Sequence, residues 1–185
     1  RAVQLVDLLG GSLQIESARG REQAHAHRSI LSRVETTFDV QRRFLLSIWG
    51  LETRYGRVTG RTPVFQALAT LAWEPRRAAY FRGELFNALM MVSRGHIEPA
   101  SMTGSWAGAM GQTQFMPSSY LQYAVDVDGD GRRDIWRSTA DALGSMAFVA
   151  SRRPPRPTSQ MTMSTPARSK SRAARAQVAS KNVTA

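Results

Sequence analysis

Two stretches of this 185-residue chain carry side chains that could do chemistry. The first is Phe44 to Arg57, FLLSIWGLETRYGR, with one carboxylate, Glu52. Phe44, Ile48 and Glu52 are four apart and Trp49 stands three before Glu52, so a helix would put the acid among apolar neighbours. Desolvation there disfavours the charged form and raises the pKa. A carboxyl that keeps its proton near neutral pH can act as a general acid. The plainer alternative is a Glu at a helix end with its head in water. The second stretch is Asp126 to Arg137, DVDGDGRRDIWR. Asp126, Asp128 and Asp130 at alternate positions, Gly131 at the sharp turn, the Arg132 carbonyl and Asp134 describe a calcium loop. Its twelfth position is Arg137, where a bidentate Glu is expected, and Asp141 could reach back instead. Two alternatives stay open: Ser138 and Asp141 form a capping box at a helix start, and the loop is an Asp/Gly turn without a metal.

Between these stretches lies Ser101 to Met116, SMTGSWAGAMGQTQFM, rich in Gly, small residues and amides. It suits close approach of backbone to a ligand; the alternative is a tight turn holding Trp106 and Met110 in the core. The surrounding pattern is helical. A helix starts from about Gly20, with Ile30, Val34 and Phe38 on one side, and Asp39 interrupts it before the Glu52 helix. Thr62-Pro63 has the chemistry of a helix start, followed by Val64, Leu68, Leu71 and Ala72 as a buried face. A further helix runs from about Pro75 to Arg94, with Phe81, Leu85, Leu89 and Val92 inward and Gly95 as its stop. Pro117-Ser118 opens a short one. No stretch alternates with period two, so the fold class is mainly α.

The net charge of +11 is uneven: residues 151–185 hold eight Lys and Arg and no acid, leaving residues 1–150 at +3. That Pro-, Ser- and Arg-rich tail has too little apolar surface to offset ordering entropy and is expected to be disordered. The division is then 1–19, an N-terminal remnant; 20–150, the folded core with loop 126–137; and 151–185, the tail. Without Cys there is neither a disulfide framework nor a thiolate metal site. No apolar run reaches the roughly 18–20 residues that span a membrane.

Together, IWGLETRYGR, PVFQALATLA, RRAAYFRGEL, GSWAGAMGQTQFMPSSYLQYAVD and DVDGDGRRDIW resemble the membrane-bound B type of lytic murein transglycosylases, over about Gly20 to Ala147. The resemblance implies a lysozyme-like helical domain that cleaves the β-1,4 bond between N-acetylmuramic acid and N-acetylglucosamine. It implies no hydrolysis: the muramic acid's own C6 hydroxyl attacks C1 and leaves a 1,6-anhydro end. Glu52 would be the single acid and then the base, so the second carboxylate of an ordinary glycosidase is not needed. Ser105 and Gln114 would line the sugar groove. Asp126, Asp128, Asp130, the Arg132 carbonyl and Asp141 would hold a structural Ca²⁺, with Asp134 acting directly or through water.

The chain departs from that family where Phe148-Val149 takes about the place of an Asn-Tyr pair, and where the Arg/Ser tail follows. The expectation is a domain incomplete at both ends. The alternative function is a truncated or frameshifted, inactive member that only binds glycan strands. Expected partners are peptidoglycan glycan strands, with non-specific polyanion contact through the tail. No specific nucleic acid is expected, since the tail has no aromatics for base stacking, and the chain is read as a monomer. The resemblance places it in the periplasm or cell envelope, although the chain shows no signal peptide or lipobox.

Overall fold

The computed structural model of the protein describes residues 17–151. The 1–19 remnant lies outside them except for its last three residues, and so does the 151–185 tail after Ser151. Helix α1 covers residues 17–26. It is followed by α2 (Arg28–Phe38), α3 (Arg42–Thr53), α4 (Val64–Trp73), α5 (Ala78–Ser93), α6 (Pro117–Tyr123) and α7 (Thr139–Ser151). The mainly α reading holds. Two two-residue strands, β1 (Thr62–Pro63) and β2 (Thr103–Gly104), pair antiparallel with Thr62 opposite Gly104.

Two apolar clusters hold the unit together. Leu31 and Val34 of α2, Leu45 and Trp49 of α3, and Ala142, Leu143, Met146 and Ala147 of α7 form the first. Val64 and Leu68 of α4, Phe81, Ala88 and Met91 of α5, Tyr120 of α6, and the loop residues Met102, Met110 and Ile135 build up the second. Helix α7 is buried at every position from Ala140 to Ala147; its polar residues there, Asp141 and Ser145, accept the N–H groups of Val127 (2.7 Å) and Val125 (3.1 Å). It packs on α2, α3 and α6. Short polar ties set the helix ends. Glu35 pairs with Arg42 at 2.9 Å and accepts that residue's N–H at 3.0 Å, fixing the start of α3. Glu84, buried in α5, accepts the Ser118 N–H at 2.9 Å and hydroxyl at 2.6 Å, fixing the start of α6.

Several expectations are corrected. Thr62 does not cap a helix: it lies in β1, and α4 begins at Val64 without a side-chain cap. Pairing with Gly104 uses Thr62 to anchor the Gly-rich loop instead. Leu89 is half-exposed, because α5 turns Glu84, Ala88 and Met91 inward along with Phe81. In the Gly-rich loop Met110 is buried, as the tight-turn alternative holds, but Trp106 is 74% exposed.

Candidate functional site

Helix α3 carries Glu52 differently from the expectation. Its inward row is Leu45, Trp49 and Thr53, all buried. Phe44, Ile48 and Glu52 form the next row, which faces solvent; Phe44 is 53% exposed and Glu52 is exposed. Burial of Glu52 is therefore corrected: Trp49 points into the core and leaves the carboxylate in water, the plainer of the two sequence readings. Leu51 beside it is 86% exposed, so the acid stands on an open, partly apolar strip. Among the described residues, nothing hydrogen-bonds or ion-pairs with Glu52.

The backbone after Glu52 is unusual. Arg54 caps α3 at φ 50°, Tyr55 follows at φ 60° and Gly56 at φ 77°. Left-handed geometry at Arg54 and Tyr55 costs roughly 1–2 kcal/mol each, so something must hold the turn. The Tyr55 ring meets Trp49 edge-on at 5.5 Å. Thr53 Oγ1 accepts the Gly56 N–H at 3.1 Å and lies 3.1 Å from the Gln112 carbonyl, to which it can donate.

Gln112 sits in the Gly-rich loop, which is bridged to itself at Gly104–Met110 and Met110–Phe115. Sequence reasoning passed over this residue, although it stands in the GQTQ run singled out for its amides. Two sugar-groove candidates lie in the same loop. Ser105 Oγ accepts the N–H groups of Ala107 (3.3 Å) and Ala109 (3.1 Å), so its own proton is left to donate. Gln114, at φ 52°, donates through Nε2 to the carbonyls of Gly111 (3.0 Å) and Thr59 (3.3 Å), leaving Oε1 as an acceptor. The loop is thus fastened to α3 before and after Glu52 through Gln112, and beyond the turn to Thr59 through Gln114.

The acidic loop brings four of its candidates together. Ligand oxygens of Asp126, Asp128, Asp130 and Asp141 all lie within 4.8 Å of one another. Oxygens on opposite sides of a calcium ion would be about 5 Å apart, twice a Ca–O distance. The donor set therefore fits a hard dication. Asp141 is fully buried; it accepts the N–H groups of Val127 at 2.7 Å and Asp134 at 2.8 Å. Burial raises its pKa, opposed by those two hydrogen bonds and assisted by the charge of Asp128. The capping box is half formed: Ser138 Oγ accepts the Asp141 N–H at 3.2 Å, while the Asp141 carboxylate faces the loop. Asp134 stands outside this group of four; its Oδ1 takes the N–H groups of Trp136 (3.0 Å) and Arg137 (2.9 Å). Arg132 donates its N–H to Asp130 Oδ1 at 2.8 Å, and its side chain is exposed.

A cavity of about 140 Å³ beside this loop is lined by His96, Glu98, Ser101, Arg132 and Trp136 among others, not by Glu52, Ser105 or Gln114. His96 there has its pKa lowered by burial and by Arg133 and Arg94. Phe148 of α7 packs near Phe38 and Tyr123, at 6.2 and 6.4 Å between ring centres.

The sequence profile described as "Transglycosylase SLT domain" matches residues 13–183, a longer range than the 20–147 over which the motifs resemble the family. The membrane-bound lytic murein transglycosylase B of Escherichia coli is 48% identical over 122 residues, covering 65% of this chain and 34% of that protein. SltB3 of Pseudomonas aeruginosa, solved with NAG-NAM-pentapeptide, superposes with a TM-score of 0.74 at 42% identity, covering 78% of this chain and 39% of that one. Slt35 of Escherichia coli, solved in complex with calcium, gives a TM-score of 0.70 at 43% identity, covering 74% and 44%. The chain thus spans less than half the length of these relatives.

Proposed function

The chain belongs to the transglycosylase SLT domain family, and we propose that it is a peptidoglycan lytic transglycosylase in which Glu52 is the acid and then the base. The Glu52 carboxyl would protonate the glycosidic oxygen as the C1–O bond breaks. The resulting carboxylate would take the proton of the C6 hydroxyl as its oxygen bonds to C1. No water enters, and the products are a GlcNAc 4-hydroxyl and a 1,6-anhydro-MurNAc end. The observation that carries this reading is the fastening of the loop of Ser105 and Gln114 to Thr53 and Thr59, on either side of the turn that follows Glu52. It places a hydroxyl donor and an amide acceptor, both neutral, on the loop that packs against the acid's helix. An exposed Glu52 fits the reading if the glycan itself, lying on Phe44, Ile48 and Leu51, supplies the desolvation that a general acid needs.

For the acidic loop we propose that Asp126, Asp128, Asp130 and Asp141 hold one structural Ca²⁺, joined by the Arg132 carbonyl. When bound, the ion would neutralise converging carboxylates and tie the end of α6 to α7. The calcium reported with Slt35 supports this.

The test is digestion of purified peptidoglycan followed by mass spectrometry. Anhydro-muropeptides, each lighter by one water than its reducing counterpart, are the expected products. Reducing ends alone would replace this chemistry with hydrolysis. The openness of the Glu52 strip favours one second reading, a chain that holds glycan strands without cutting them. Binding of the strands with no product of either kind would establish it.

A further inference from the structure

We propose that Gln112 is the positioning residue for Glu52, an inference that rests on the role given to Glu52 above. Gln112 is 5% exposed. It nevertheless uses every polar group it has. Its Oε1 accepts the Trp49 indole N–H at 3.0 Å, and its Nε2 donates to the Trp136 carbonyl at 3.3 Å. Its backbone N–H donates to the Ile135 carbonyl at 2.8 Å, and its carbonyl faces Thr53 Oγ1 at 3.1 Å. An indole offers only a donor and a carbonyl only an acceptor, so the carboxamide has one orientation that satisfies both.

These partners bracket the acid. Trp49 lies one helical turn before Glu52, and Thr53 directly after it. The next residues are the left-handed Arg54, Tyr55 and Gly56, and Gly56 packs so closely that a Cβ there would meet Gln112 Oε1 at 2.7 Å. A turn held out of the favoured backbone region relaxes unless its surroundings fix it. Gln112 is where the Gly-rich loop, the 135–136 segment and this turn meet. The carboxamide therefore sets where α3 ends and where its one carboxylate stands relative to Ser105 and Gln114. A buried amide used only for stability would affect every step alike. A positioning residue acts on the chemical step, because small displacements of a general acid reduce turnover more than binding.

The experiment compares Gln112→Leu, Gln112→Glu and Trp49→Phe in the full chain. Gln112→Glu keeps an oxygen for Trp49 but turns a second oxygen towards the Trp136 carbonyl; Trp49→Phe removes only the donor. Each is read in two ways: by NMR of the Glu52 carboxyl and the 53–56 amides, and by kcat and KM for anhydro-muropeptide release. The expected result is a shift of the 52–56 signals with those of α4 and α5 in place. Turnover should fall by about tenfold or more with KM within about twofold, and Trp49→Phe should add little in a chain already carrying Gln112→Leu. Unmoved 52–56 signals in a folded variant, or kcat and KM unchanged, would overturn the proposal. If Gln112→Leu does not fold, Trp49→Phe decides by the same readouts. A parent chain that releases no anhydro-product fails the transglycosylase reading alone, and the NMR arm still decides whether Gln112 sets the turn.

Discussion

Replacing Asp141 by Asn separates the two things its carboxylate does. It accepts two backbone N–H groups in a fully buried setting, and it completes the group with Asp126, Asp128 and Asp130. Asn keeps the shape but presents one acceptor and one NH₂, so either Val127 or Asp134 faces a donor. One charge-assisted bond is lost and one N–H is left unpaired, about 2–3 kcal/mol. Against this, burial raises the pKa of Asp141, and Asp128 adds to the rise. The charged form therefore carries a penalty that Asn removes. Without calcium the net loss should stay below about 2 kcal/mol. With calcium the comparison changes sharply. Binding to the folded state alone stabilises the parent by about 2.7 kcal/mol at a hundredfold excess over Kd. For a domain of this size that corresponds to roughly 10 °C in Tm. Exported modules bind at about 10⁻⁴–10⁻³ M, so the assay is thermal melting in chelator and at calcium concentrations well above that range. The parent Tm should climb with calcium and that of Asp141→Asn should not. An unshifted parent would remove the calcium site, and a full shift in Asp141→Asn would remove Asp141 from it.

Burial pushes the Tyr120 phenol up to about 12 from 10.0. The folded chain then keeps a proton that the unfolded chain releases, so stability falls as pH rises from about 10 to about 12, by roughly 2–3 kcal/mol. Tyr120→Phe should flatten that alkaline limb in pH-dependent denaturant melts, at the loss of the 2.9 Å bond to the Arg133 carbonyl, about 1 kcal/mol at neutral pH; an unchanged limb would locate the titration elsewhere. Gly60→Ala should destabilise by more than about 3 kcal/mol, since φ is 88° and the new Cβ would fall 2.0 Å from the Gly104 carbonyl oxygen. Gly83→Ala, in α5 with nothing within 4 Å, should instead stabilise by about 0.5–1 kcal/mol in the same melts. Equal effects at the two glycines would contradict the packing described.

What the sequence made legible follows from how local each signal is. The helices were readable because apolar spacing is written along one segment, and the Gly95 stop because a helix ends in its own neighbourhood. The acidic group was readable for the same reason: Asp126, Asp128 and Asp130 alternate within one loop, and only Asp141 comes from further on. Glu52 was placed on the right helix and on the wrong side of it. Phe44–Ile48–Glu52 and Leu45–Trp49–Thr53 are adjacent rows of similar apolarity, and only packing against α7 and Gln112 decides which row turns inward. Thr62 was misread because its partner, Gly104, is a long-range neighbour that no local propensity reveals. Gln112 carries no pattern of its own; its importance is made by Trp49, Thr53, Ile135 and Trp136 arriving from two other segments.

The most direct test of the account is Glu52→Gln in the full chain, incubated with purified peptidoglycan beside the parent, with products identified by mass spectrometry and glycan binding measured separately. Gln keeps the shape of the side chain but cannot give and take a proton. The account predicts that the parent releases 1,6-anhydro-muropeptides and that Glu52→Gln lowers their rate by at least about 10²-fold, while binding persists. Near-normal release of anhydro-products by folded Glu52→Gln would contradict it and assign the proton transfer to another residue.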